Sequence, residues 1–145
     1  MKKLVLALVV LLAGCGGGTE GARPVATVTS GTMGAPVTRE GTFEYTVTSL
    51  KCAESACTVG LTVHNLTIAA RKPGISFATA YDGAGTAYLA DALAQIRSGS
   101  LLLDDLAGGA TIDDHLIYDV PKTTTLTSIV LRESTSSAGI SIPLG

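Results

Sequence analysis

Four carboxylates crowd one short stretch of the chain. Asp104-Asp105 and Asp113-Asp114 bracket the turn Ala107-Gly108-Gly109. Hard oxygen ligands of this kind suit Ca²⁺, which takes about six to eight of them. The pairing works against such a site, because adjacent residues on a strand point to opposite faces and one member of each pair serves a given side. No D-x-D-x-D-G loop is present either. A solvated acidic edge that deters edge-to-edge association is the better account, so no metal site is assigned. His64 and His115 are the only histidines. Alternation puts each on the polar side of its strand, and no acid stands at a triad spacing. G-x-S-x-G, P-loop and H-E-x-x-H patterns are all missing. These residues predict no catalytic centre and no cofactor.

The cysteines carry more. Met1-Lys2-Lys3 is a short positive head, and Leu4 to Ala13 is an uninterrupted apolar run that ends just before Gly14-Cys15. As a helix this run would span about 15 Å, roughly half the hydrocarbon thickness of a bilayer. That is the length of a signal-peptide core and too short to cross. Leu12-Ala13-Gly14-Cys15 resembles the bacterial lipobox, in which the thiol is the nucleophile that takes up a diacylglycerol and the peptide before it is removed. Small residues at Ala13 and Gly14 let a peptidase approach the backbone. Each buried CH₂ contributes about 0.8 kcal/mol, so two or three acyl chains hold where one is marginal. Cys15 is therefore expected to be lipidated, with the mature protein tethered to a membrane outside the cytoplasm.

That leaves Cys52 and Cys57 as an even pair in an oxidising compartment. Residues facing each other across an antiparallel hairpin have Cα atoms about 4.5–5.5 Å apart, within disulfide range. A bridge closing a four-residue hairpin loop (Ala53 to Ala56) is expected. The pair lacks the second ligand pair of a zinc site and the C-x-x-C spacing of a thioredoxin.

Residues 1–14 read as a lipoprotein signal peptide. Residues 15–34 read as the lipidated cysteine and a flexible Gly/Thr/Ser-rich linker, and 35–145 as one folded domain. Gly16, Gly18 and Gly21 match G-x-G-x-x-G, but no strand precedes them, so the match is an accident of linker composition. The chain is 46% hydrophobic and 15% charged, which is a folding composition. Without Lys2 and Lys3, eight basic residues face twelve acidic ones, a net −4. That charge argues against nucleic acid and against electrostatic binding to anionic lipid.

From about residue 35 the hydrophobic period is two. Phe43, Tyr45 and Val47 form one inward set, and Val59, Leu61 and Val63 a second, antiparallel to it. Ile75, Phe77, Thr79 and Tyr81 read as a third inward set, followed by the turn Asp82-Gly83-Ala84-Gly85 and a strand through Ala87-Tyr88-Leu89. Ile112, Leu116, Tyr118 and Val120 share a face that Pro121 ends; Ile129-Leu131 and Ile140-Ile142-Leu144 supply the last strands. Leu89–Arg97 is the one helical stretch, read as a short helix or a connecting loop. Seven or more short strands with frequent turns predict an all-β, immunoglobulin-like antiparallel β-sandwich.

Four segments carry a resemblance: GTFEYTVTSLKC, TVHNLT, YDGAGTAY and LAGGATIDDHLIYDVPK. Together they resemble a family of bacterial extracytoplasmic proteins with an immunoglobulin-like sandwich, common on lipoproteins and related to the secreted immunoprotective antigens of mycobacteria. The family pattern is a V-x-N turn (Val63-His64-Asn65), a D-x-G-x-x-Y hairpin (Asp82, Gly85, Tyr88), and a P-G turn before an F-D-V-P strand end. Gly108 stands where the family often has proline, and Tyr118 where it has phenylalanine. The resemblance runs from about Gly41 to Leu144 and brings no catalytic residues. Asn65 and Gly85 are expected to take tight-turn backbone. Asn65-Leu66-Thr67 also fits a glycosylation sequon, of no consequence in a bacterial lipoprotein.

The functional expectation is a lipid-anchored, extracytoplasmic domain that binds without catalysis. Its partners would be the membrane, through Cys15, and another envelope protein. The alternatives are a small-ligand or calcium carrier built on the acidic turn, and an enzyme with an unrecognised site.

Overall fold

The computed structural model describes residues 28–145; Cys15, the apolar leader and the first part of the linker lie outside them. Eight strands form two sheets. The strands are β1 (Thr29–Ser30), β2 (Phe43–Ala53), β3 (Ala56–Asn65), β4 (Ala78–Asp82), β5 (Ala87–Leu89), β6 (Thr111–Asp119), β7 (Leu126–Leu131) and β8 (Ile140–Pro143). Between β5 and β6 lie helix α1 (Ala92–Arg97) and a 3₁₀ turn at Leu101–Leu103. One sheet has the order β1-β8-β7-β4-β5, the other β2-β3-β6. That order matches an immunoglobulin sandwich, with β3 and β6 in the places of strands B and E and β4, β7 and β8 in those of C, F and G.

Alternation explains the core. Phe43, Tyr45, Val47, Val59, Leu61, Val63, Leu116, Tyr118 and Val120 are buried from one sheet, and Ile129, Leu131, Ile140 and Ile142 meet them from the other. Fully burying an aliphatic side chain of this size contributes about 1.5–3 kcal/mol. The Tyr118 hydroxyl donates to the carbonyl of Ala78 at 2.9 Å, a hydrogen bond from β6 to β4 that joins the sheets. Its burial pushes the phenol pKa well above the usual value.

Three sequence expectations are corrected. The linker predicted through residue 34 ends sooner, since Thr29 and Ser30 pair in parallel with Ile140 and Ser141 of β8. Arg39 also donates to the Thr29 hydroxyl. The inward set read around β4 holds only in part: Ile75 and Thr79 are buried, but so are Ala78 and Ala80, while Phe77 and Tyr81 are only half-buried. Finally, Asn65 does not take left-handed backbone, whereas Gly85 does, as expected (φ 82°).

Asn65 is a buried polar staple instead. Its amide donates to the carbonyls of Ala69 and Leu106, both at 2.9 Å, and its oxygen accepts from the Thr67 N–H and hydroxyl. Those four bonds use its full capacity, so the sequon nitrogen is sequestered. The D-x-G-x-x-Y hairpin has an equally local purpose. Asp82 accepts from the N–H groups of Ala84 and Thr86 and from the Tyr88 hydroxyl, all within 3.0 Å. Backbone donation from Thr86 leads in holding its carboxyl below the usual range.

Candidate functional site

The disulfide forms at the place expected, between Cys52 and Cys57, with Cα atoms 4.0 Å apart. The turn it closes is tighter than the four residues anticipated. Pairing continues through Ala53 and Ala56, so Glu54 and Ser55 alone make the reversal. Glu54 sits at φ 55°, the single non-glycine residue with positive φ among those described. Cys57 is buried in the core beside Tyr118, its partner in register on β6.

The four aspartates do not converge. Asp104 and Asp105 are exposed beyond the 3₁₀ turn. Asp113 points outward and accepts from the Thr62 hydroxyl. Asp114 points inward, where it accepts from the Ser100 hydroxyl (2.7 Å), the Leu102 N–H (3.2 Å) and the His115 N–H (2.8 Å). Burial raises its pKa, but these donors together outweigh burial and hold the carboxyl below its ordinary value. It is a structural ligand for the 3₁₀ turn rather than part of a solvated edge. Among the described residues no group of three or more His, Cys, Asp or Glu side chains could hold a metal ion.

Both histidines lie on the outward face of the three-stranded sheet. His64 is 3.8 Å from Glu44, and His115 is 3.5 Å from Asp114. In register His115 stands opposite Gly60, four residues along β3 from His64, or about 13 Å at strand spacing. That separation is too large for both to act on one atom.

Two features escaped the sequence reading. The first is a depression of about 370 Å³ on that polar face, lined by Ser49, Lys51, Thr58, Gly60 and His115. A register shift between Val47 and Ser49 marks a bulge in β2, and bulges re-aim side chains. Here they bring two hydroxyls over Gly60: a Cβ at that position would lie 2.4 Å from Thr48 Oγ1 and 2.5 Å from Ser49 Oγ. The signal was a glycine inside a strand pattern, which marks a bulge or a close approach. By contrast, the cavity within the sandwich measures about 10 Å³ and borders Tyr45, Leu61, Phe77 and Leu116. That is one water's worth of space at most.

The second feature is α1. Its Asp91 N-cap accepts from the Ala94 N–H at 3.1 Å, yet the helix turns a polar residue inward. Gln95 is fully buried, whereas Leu93 and Ile96 are 54% and 64% exposed. Gln95 acts as a surrogate strand. Its oxygen accepts from the Ile117 N–H at 2.5 Å, and its amide donates to the His115 carbonyl and the Ser100 hydroxyl. The Asp91 N–H serves the Ile117 carbonyl at 2.7 Å. The edge of β6 at His115 and Ile117 is thereby covered, and two aliphatic side chains are left in water; Leu89 and Leu101, before and after the helix in the chain, are exposed as well.

This architecture defines an all-β, two-sheet sandwich. Among solved structures it resembles the secreted protein MPT63 from Mycobacterium tuberculosis, with a TM-score of 0.62 and 14% identity over 81% of this chain and 98% of that one. It also resembles the yjhA protein from Bacillus subtilis (TM-score 0.60, 13% identity, 79% of this chain and 98% of that one). A third likeness is to an uncharacterized β-sandwich protein from Clostridium difficile 630, with a TM-score of 0.56 and 10% identity over 87% of this chain and all of that one. At these identities the likeness is one of fold. No family model matches the chain, and no curated protein matches it in sequence.

Proposed function

We propose that this is a lipid-anchored, extracytoplasmic domain that binds another envelope protein through the exposed apolar face of α1, without catalysis. Three things support its location: the Leu12-Ala13-Gly14-Cys15 motif after a signal-length apolar run, a disulfide of the kind that persists in oxidising compartments, and the fold of a secreted mycobacterial protein. The binding reading rests on one observation, the inverted amphipathicity of α1. An apolar patch left in water is a mark of an interaction surface, and Leu93 and Ile96, three residues apart, stand on one side of the helix. The net charge of −4 beyond the leader disfavours an anionic lipid surface as the occupant. Asp91 and Arg97 flank the two side chains with charges of both signs, a polar rim suited to a protein partner.

Photocrosslinking in intact cells tests the interaction. A photoreactive residue replacing Leu93 or Ile96 should give one discrete adduct with a different protein, and one replacing Thr46 on the polar face should not. Adducts with lipid alone, with a second copy of this chain, or with nothing would overturn the reading. Anchoring is checked separately: incorporation of a labelled fatty acid should vanish in Cys15→Ser.

A further inference from the structure

We propose that the depression over Gly60 binds a small anion, a carboxylate or phosphate group carried on a hydroxyl-bearing molecule. Lys51 supplies the charge, His115 a ring nitrogen, and Ser49 and Thr58 the hydroxyls that orient the ligand. The inference goes beyond the α1 interaction and does not rest on it.

A strand facing solvent ordinarily presents a level row of side chains. Here the row is interrupted twice, by a glycine on β3 and by the bulge opposite it on β2. Either change alone weakens the strand. Together they let the hydroxyls of Thr48 and Ser49 take up the space over Gly60, and an open depression bordered by Ser49, Lys51, Thr58 and His115 lies beside them. The resulting volume of about 370 Å³ falls within the range of small-molecule sites, about 300–1,000 Å³.

The lining then sets the chemistry. Lys51 forms none of the ion pairs found among the described residues, so its ammonium has all three donors available. His115 contributes an imidazole whose nearest charged neighbour is Asp114, 3.5 Å from Nδ1. Asp114 turns inward, its Oδ2 accepting from Ser100 and its Oδ1 from the His115 N–H, and it does not line the depression. No carboxylate lines the depression, and no large apolar or aromatic side chain does. A neutral apolar ligand finds nothing to bury against. Hydroxyls beside two nitrogen donors match anionic oxygens flanked by alcohols. Phosphorylated metabolites and sugar acids share that chemistry.

The test uses the full chain, labelled with ¹⁵N, held in detergent and titrated with inorganic phosphate, with glucuronate and, as an uncharged control, with glucose. Saturable shifts of the Ser49, Thr58, Gly60 and His115 amides are expected with at least one anion and not with glucose. A response to phosphate alone assigns a phosphorylated ligand, and a response to glucuronate alone assigns a sugar acid. Lys51→Gln, an exposed change that leaves the fold untouched, should weaken binding about tenfold, the ordinary effect of losing a hydrogen bond to a charged group. His115→Gln should also weaken it. The proposal fails if neither anion shifts these amides at millimolar concentration. It also fails if glucose shifts them equally, or if Lys51→Gln binds as tightly as the native chain.

Discussion

Glu54 holds a backbone conformation that L-residues with a Cβ avoid, at a cost of roughly 1–2 kcal/mol. It does so because the disulfide and the pairing of Ala53 with Ala56 leave two residues to reverse the chain, and favoured two-residue hairpin turns need positive φ. Glycine carries no such cost. Glu54→Gly should therefore raise stability by about 0.5–1 kcal/mol, less than the full strain because glycine also loses more freedom on folding; a shift in the urea midpoint at unchanged slope measures it. Gly108 poses the opposite constraint. A Cβ there would lie 2.4 Å from the Ile68 carbonyl carbon, so alanine would displace backbone. Asp114 makes its own prediction with pH. Its folded pKa lies below the ordinary aspartate value of about 3.9. The stability it contributes is thus fully present above that value and fades as pH falls through it toward the folded pKa. Urea melts at about pH 6 and about pH 3 should show a smaller acid loss in Asp114→Asn than in the native chain, because the variant has no proton to take up.

At the scale of elements, α1 shows how a short helix can finish a sheet. A bare edge strand invites pairing with another chain, and β6 is an edge strand of its sheet. Gln95 answers with one side-chain amide that mimics a peptide group, accepting from Ile117 and donating to His115. Replacing it by methionine, which nearly preserves volume, should leave those buried backbone groups without partners. The expected loss is about 2–4 kcal/mol, accompanied by concentration-dependent association in sedimentation as the edge opens. None of this was legible in the Ala-Leu-Gln composition of the stretch, which favours a helix without saying which face it buries. The strands were far more legible. Phe43-Tyr45-Val47 and Val59-Leu61-Val63 alternate strictly because one face of their sheet meets water. On β4 the aromatic residues misled, since it is an interior strand, flanked by β5 and β7, in which Ala78 and Ala80 are buried and Tyr81 only half-buried. The disulfide was readable from spacing alone. The depression over Gly60 left one trace in the sequence, a glycine inside a strand pattern, while the bulge opposite it in β2 is set by pairing register rather than by composition.

Across the whole molecule the question is what binds one sheet to the other. Immunoglobulin domains of antibodies place a disulfide between strands B and F, crossing the sandwich. Here the buried sulfur on the B-like strand, Cys57, bonds instead to its own sheet. The polar crossing is made by Tyr118, which stands opposite Cys57 in register and reaches Ala78 on β4. The disulfide thus clamps the hairpin beside the tyrosine and holds the ring's neighbour in place, so the two fasteners share one patch of core. Removing the bridge by Cys52→Ala with Cys57→Ala should cost about 2 kcal/mol on loop entropy, and Tyr118→Phe about 1–2 kcal/mol for the hydrogen bond and the carbonyl it leaves unpaired. Distant sites would simply add. These are neighbours, and the looser hairpin lets the ring settle away from Ala78, so the combined variant should lose less than the two separate losses together, by at least about 0.5 kcal/mol. Chemical denaturation of the four proteins in one cycle measures that difference. Strict additivity would mean that the bridge stabilises only the hairpin, and that the sheets are held together by apolar packing and Tyr118 without its help.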